Sequence, residues 1–210
     1  VGYRYYDSAN KRVKYPFGYG LSYTSFEYSN LRLSANAINE GDPFTVTFTV
    51  KNVGKVAGAE IAQLYVSDVE STLYRPAKEL KGFKKVFLQP GEEKDVEISL
   101  DSRAFAYYNV AINDWHVESG DFKILVGASS RDIKLEGIVN VASKNPDAPI
   151  PDYKAVAPCY YDIANATEIP VEQFEALYGA KMIENKPFAK GELQACNTIG
   201  QCNVSPFGRF

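Results

Sequence analysis

The chain has a single histidine, His116, and that scarcity removes most nucleophilic chemistry at once. Any Ser-His-Asp or Cys-His arrangement would have to run through it. It stands in the strand-like stretch DWHVE, where the expectation is an exposed strand histidine and not a general base. Cysteine is almost as scarce: Cys159, Cys196 and Cys202 all fall in the last quarter, without CxxC spacing. So odd and sparse a set argues against a disulfide scaffold and against a zinc ligand set. Reduced, structurally idle thiols are expected, with a single Cys196 to Cys202 bridge as the alternative under export. No apolar run approaches the roughly 18 residues that a membrane-crossing helix needs. Nor is there a basic block to meet a phosphate backbone, since 23 Lys and Arg are interspersed with 26 Asp and Glu for a net charge of -3. Neither membrane nor nucleic acid is therefore an expected partner. Nucleophile elbow, glycine-rich phosphate loop and HExxH are all missing, and no cofactor or metal site is expected.

Carboxylates are what remain for acid/base work: Asp68 and Glu70 in one loop, Asp114, Glu118 and Asp121 in another, and the adjacent Glu92 and Glu93. A retaining glycosidase needs two carboxyls roughly 5 Å apart, one of them kept protonated by apolar surroundings. Turns such as QPGEEKD carry acids because turn tips are wet, and no stretch suggests a pocket. No catalytic residue is assigned.

Short strands are abundant. In FTVTFTVKN, Phe44, Val46, Phe48 and Val50 point one way and Thr45, Thr47 and Thr49 the other, the period of a half-buried strand. Similar runs (EYSNLRL, EIAQLYVS, ELKGFKKVFL, DVEISL, DFKILVGAS, IKLEGIVNV) alternate with turn signals at NEGDP, GKVAG, QPGE and SGD. About seven strands at this spacing predict an all-β, antiparallel sandwich of the immunoglobulin or fibronectin type III kind. Trp115, the only tryptophan, is expected to anchor packing on or beside a late strand. Beyond Val141 the four prolines of SKNPDAPIPDYKAVAP suit an irregular, extended segment on a surface. One short helix is predicted near 170–178, where Val171, Phe174 and Tyr178 share a face and Gly179 supplies a left-handed stop.

One stretch fits neither period. YPFGYGLSYTSF (15–26) places five aromatic rings and two glycines in twelve residues. Together with VGYRYYD before it, and ELKGFKKVFLQPGE and WHVESGDFKILVGASSRDI after it, the chain resembles the carboxy-terminal part of glycoside hydrolase family 3, the family of many β-glucosidases and β-xylosidases. The resemblance runs in the family's order from Val1 to about Val141. It implies that residues 1–25 end a preceding α/β sandwich domain and link it to the next, that 26–142 form a fibronectin type III-like domain, and that 143–210 are a tail. It also implies that the nucleophilic Asp and the acid/base Glu lie on domains upstream, so that this piece is a non-catalytic, accessory part of a retaining enzyme acting on a β-glucoside or oligosaccharide. Its partners are then the catalytic barrel and α/β sandwich domain of the same polypeptide. The chain opens without an initiator Met, which accords with a piece of something longer.

On this reading Gly18 and Gly20 allow close backbone approach, Pro16 fixes a bend, and Tyr15, Phe17, Tyr19 and Tyr23 fill a seam between domains. A ring of about 150 to 200 Å² contributes up to ~4 kcal/mol when fully covered. Arg75, in the YRP of STLYRPAKEL, is expected to dock at the same inter-domain face. The alternative, a carbohydrate-binding or cell-surface interaction module, would need an exposed row of aromatics, or tandem repeats. The strand aromatics mostly alternate inward, which disfavours the first, and no repeat favours the second.

Overall fold

FTVTFTVKN does what its period demands. In the computed structural model, which describes residues 2–182, it forms β3 (Phe44–Asn52), and Phe44, Val46, Phe48 and Val50 are buried. Antiparallel partners flank it: β1 (Phe26–Leu33) on one side and β6 (Glu93–Leu100) on the other. A second sheet of five strands runs in the order β2 (Ala37–Asn39), β10 (Asp132–Ala142), β9 (Gly120–Ser129), β4 (Gly58–Asp68), β5 (Glu79–Leu88). A hairpin of β7 (Tyr107–Asn109) and β8 (Asp114–His116) stands apart from both. The core lies between the sheets, where Leu64, Val66, Phe122, Ile124 and Val126 meet Val46, Phe48, Val96 and Phe105. The fold is thus the all-β sandwich its strand pattern predicts, with ten described strands rather than seven.

Three details depart from the expectation. The β2–β10 pairing is parallel, because the chain reaches β2 by crossing over from the other sheet and not through a hairpin turn. His116 is buried at 2% exposure, its ring edge-on to Tyr107 at 5.7 Å, so the exposed strand histidine is corrected to a packed one. The aromatics also divide. Phe44, Phe48 and Phe122 turn inward, whereas Phe83 and Phe87 of β5 and Tyr108 of β7 are exposed.

Ahead of the sandwich stands α1 (Tyr3–Ser8). The tail behind it holds α2 (Pro158–Tyr161) and α3 (Val171–Tyr178), which closes on Gly179 at φ 77 as the sequence predicts. Val171, Phe174 and Tyr178 are exposed on α3. Cys159 is a free thiol, while Cys196 and Cys202 lie outside the described residues.

Tyr28 ties the two sheets together. Its ring stacks on Phe48 at 6.1 Å and its hydroxyl donates to Glu60 Oε1 across the sandwich at 3.1 Å. Burial pushes the Glu60 carboxyl above its ordinary range, against the downward pull of the Tyr28 hydrogen bond. Because the folded value is raised, the contribution of the protonated acid is complete below the unfolded glutamate value and is lost as pH rises through the folded one. Glu60→Gln keeps an acceptor for Tyr28 but never ionises. The variant is expected to melt higher than the wild type at neutral pH and to match it in acid, checked by thermal melts across pH; a uniform loss would show the anion to be stabilising.

Candidate docking face and cavity

The unusual aromatic stretch is built around a glycine that cannot be replaced cheaply. Gly18 has φ +78, and a Cβ there would fall on the Gln63 side-chain amide. That close approach is used. Gln63 Nε2 donates to Gly18 O at 3.0 Å and to Ala128 O at 2.8 Å, while Gln63 Oε1 accepts from Tyr65 Oη at 2.6 Å. Beside it, Ser130 N donates to Phe17 O at 2.9 Å. Tyr3 of α1 stacks on Phe17 at 4.2 Å, lies edge-on to Tyr65, and accepts a hydrogen bond from Leu80 N. Asp7 takes Arg131 Nε at 2.7 Å, and the same guanidinium donates to Tyr6 O and Lys11 O. Residues 2–18 are therefore fastened along the outer side of the five-stranded sheet, and this is why Gln63 and Tyr65 are buried on a strand whose other face already fills the core.

The outward side of the stretch is bare. Tyr15 and Tyr19 stack on each other at 5.2 Å and are 62% and 48% exposed; Phe17 is 43% and Tyr23 99% exposed. Leu21 between them is exposed too. Tyr15, Phe17 and Tyr19 thus share one fastened segment, whereas Tyr23 stands clear of other rings on the run into β1.

Arg75 faces inward. Its side chain is 8% exposed, and Nη1 donates to Asp68 Oδ2 and to Phe105 O, each at 3.0 Å, with Glu79 at 3.7 Å from Nη2. Asp68 is itself only 4% exposed, and burial pushes its carboxyl up although Arg75 pulls the other way. The loop between β4 and β5 is pinned elsewhere as well. Glu118 accepts from Thr72 N and Ser71 Oγ, and Tyr160 and Tyr161 of the tail lie edge-on to Tyr74.

On one side of this loop opens a hollow of about 600 Å³, walled by Arg4, Tyr74, Arg75, Glu79, Lys81, Arg103, Tyr107, Tyr108 and Trp115 among others. Trp115 is 39% exposed and carries the Arg103 guanidinium over its ring at 4.7 Å, so the expected packing anchor is a wall of this hollow instead of a core residue. The hollow's acids are Glu79 and Asp101. Glu79 is compensated by Arg4 at 2.9 Å, Lys81 at 3.3 Å and Arg75, the reverse of the apolar setting that a general acid needs. A second hollow across the loop holds Asp68 and Asp162, but the first is paired with Arg75 and the second accepts from Asn165 Nδ2 at 2.7 Å. Neither hollow offers a pair of free carboxylates.

With this geometry in hand, the comparisons decide the family. A model described as "Fibronectin type III-like domain" matches residues 60–130. The thermostable β-glucosidase B of Acetivibrio thermocellus is 59% identical over 143 residues, 68% of this chain and 19% of that protein. The chain carries the fibronectin type III-like domain of glycoside hydrolase family 3. An exo-α-(1→6)-L-arabinopyranosidase of Bifidobacterium longum is 52% identical over 133 residues, 63% of this chain and 17% of that protein. The crystal structure of the family 3 β-glucosidase of Bifidobacterium adolescentis superposes with a TM-score of 0.65 at 34% identity, covering 100% of this chain and 24% of that one. The family 3 domain thus spans about a fifth of the length of the curated relatives it matches.

No sign in the sequence pointed to the roles of Gln63 and the Arg103–Trp115 pair in this family 3 domain, and Asp68, expected among loop acids, ends β4 as the buried partner of Arg75. The only advance signal was FGYG, whose glycines ask what backbone comes close enough to need them.

Proposed function

We propose that this domain is a non-catalytic, accessory module of a family 3 β-glycosidase, seated on the catalytic domains of a longer polypeptide through Tyr15, Phe17, Tyr19 and Tyr23. The observation that carries the reading is the contrast between the two sides of one segment. Inward it is fixed by buried polar contacts, and outward it leaves the stacked Tyr15 and Tyr19, Phe17 and the separate Tyr23 half- to fully exposed, a surface whose burial is worth several kcal/mol. Arg75 takes part indirectly, by holding the 69–78 loop in place. The relatives' β-glucosidase names support a substrate with a terminal β-glucosidic bond, and the lack of a free carboxylate pair in either hollow favours hydrolysis by residues on the other domains.

The test has two arms. The purified chain is expected to leave a chromogenic β-glucoside untouched, and heat-labile hydrolysis by it would overturn the reading. In the full-length polypeptide, changing Tyr15, Tyr19 and Tyr23 together to serine is expected to lower the melting temperature of the catalytic part. The same change in the isolated chain should stay within about 1.5 kcal/mol, up to about 0.5 kcal/mol for each exposed position. Equal effects in both would mean that the rings serve the sandwich alone.

A further inference from the structure

The hollow beside Trp115 is cationic on an anionic chain. Arg4, Lys81 and Arg103 line it against Glu79 and Asp101, with Arg75 already neutralised by Asp68, while the whole chain carries a net charge of -3. Its volume of about 600 Å³ lies within the roughly 300 to 1,000 Å³ of small-molecule sites. Two half-exposed aromatic walls, Tyr108 and Trp115, stand edge-on to each other at 6.0 Å. Arg103 is in no ion pair among the described residues, and its guanidinium carbon stands over the indole ring, 4.7 Å from the centroid, a contact that leaves its N–H donors unspent.

We infer that this hollow binds a carboxylated sugar ring, a uronic acid unit, with Arg103 meeting the carboxylate and the Trp115–Tyr108 walls meeting the ring. A planar guanidinium suits a carboxylate because two parallel N–H groups match its two oxygens. Aromatic walls suit the apolar C–H faces of a pyranose, and a neutral glucan lacks the charge that this lining is arranged to receive. Burial holds Lys81 below the ordinary lysine range, against the pull of Glu79. An anion arriving beside Lys81 opposes that burial effect and adds to the attraction. The carboxylate follows from the lining alone, whereas the sugar as its carrier rests on the accessory-module reading.

Trp115 is the only tryptophan, so emission excited at the red edge, where tyrosine does not absorb, reports this hollow and nothing else in the chain. Titration of the 210-residue chain with sodium D-glucuronate is expected to change that emission saturably and to weaken in high salt. D-glucose should give no saturable change, and acetate and N-acetylglutamate should bind at least about tenfold more weakly. Arg103→Gln, which keeps the reporter, should lose the glucuronate response by about the same factor with an unchanged far-ultraviolet circular dichroism spectrum. Acetate or N-acetylglutamate matching glucuronate would overturn the sugar assignment and point to an acidic protein side chain as occupant. Glucose matching glucuronate would overturn the role of the carboxylate, and a flat titration would overturn the site. A flat titration leaves the accessory-module reading standing, because that reading fails on hydrolysis and melting, not on emission.

Discussion

Arg75→Met is expected to destabilise the isolated domain by about 3 to 5 kcal/mol, the cost of leaving a buried charge without its partner. The Asp68 side chain is 4% exposed, and Arg75 is the only cation paired with it among the described residues. The substitution also leaves Phe105 O without a donor it now has, and removes the guanidinium packed near the Tyr107 and Phe122 rings. The pH dependence identifies the cause. Burial already raises the Asp68 carboxyl, and without Arg75 the main opposing pull is gone. A raised folded value means that stability is retained below the unfolded aspartate value and lost as pH rises through the folded one. The variant's deficit should therefore be large at neutral pH and shrink in acid, where Asp68 is protonated. Replacing both partners, as in Arg75→Met with Asp68→Leu, should recover much of the loss, because no charge is then stranded. Urea melts of the three proteins at neutral and acid pH decide it. A deficit independent of pH and unrelieved in the double variant would assign the effect to packing.

Local pattern made the frame of this domain legible and left its attachments hidden. The alternation of β3 could be read because half-burial is a property of nine consecutive residues. β4 could not be read fully in the same way. Its period implies one buried face, yet Gln63 and Tyr65 are buried on the other, under a segment more than forty residues upstream. Arg75 likewise gave no local sign that its loop folds back onto Asp68, seven positions earlier. His116 and Trp115 are adjacent on β8 and point to opposite sides, one into packing against Tyr107 and the other into the hollow. Only the packing of a three-residue hairpin strand determines which goes where. The aromatic stretch from Tyr15 stood out because it obeyed neither period, and a segment that serves a surface rather than a sheet has no reason to obey one.

Gly18 and Gln63 should behave as one unit. Gly18→Ala is expected to cost about 2 to 4 kcal/mol. Roughly 1 to 2 kcal/mol of that comes from a side chain at positive φ, and the rest from driving Cβ into the Gln63 amide. Gln63→Ala should cost a similar amount, about 2 to 4 kcal/mol, since Gly18 O and Ala128 O lose their donor and Tyr65 Oη loses its acceptor inside the structure. The two losses should not add. With Gln63 truncated, the three atoms nearest the new Cβ are gone, so the double variant should pay mainly the backbone strain beyond Gln63→Ala, a coupling of at least about 1 kcal/mol. Hydrogen exchange gives the structural half of the test. The amides of Ser130 and Leu80 bond to Phe17 and Tyr3 across the seam, and each single variant should speed their exchange ahead of the β3 amides in the core. Additive free energies, or protection lost uniformly through the sandwich, would mean that residues 2–18 are held by something other than this contact. The exposed rings would then ride on a segment without a fixed seat, and the docking face would have no rigid base.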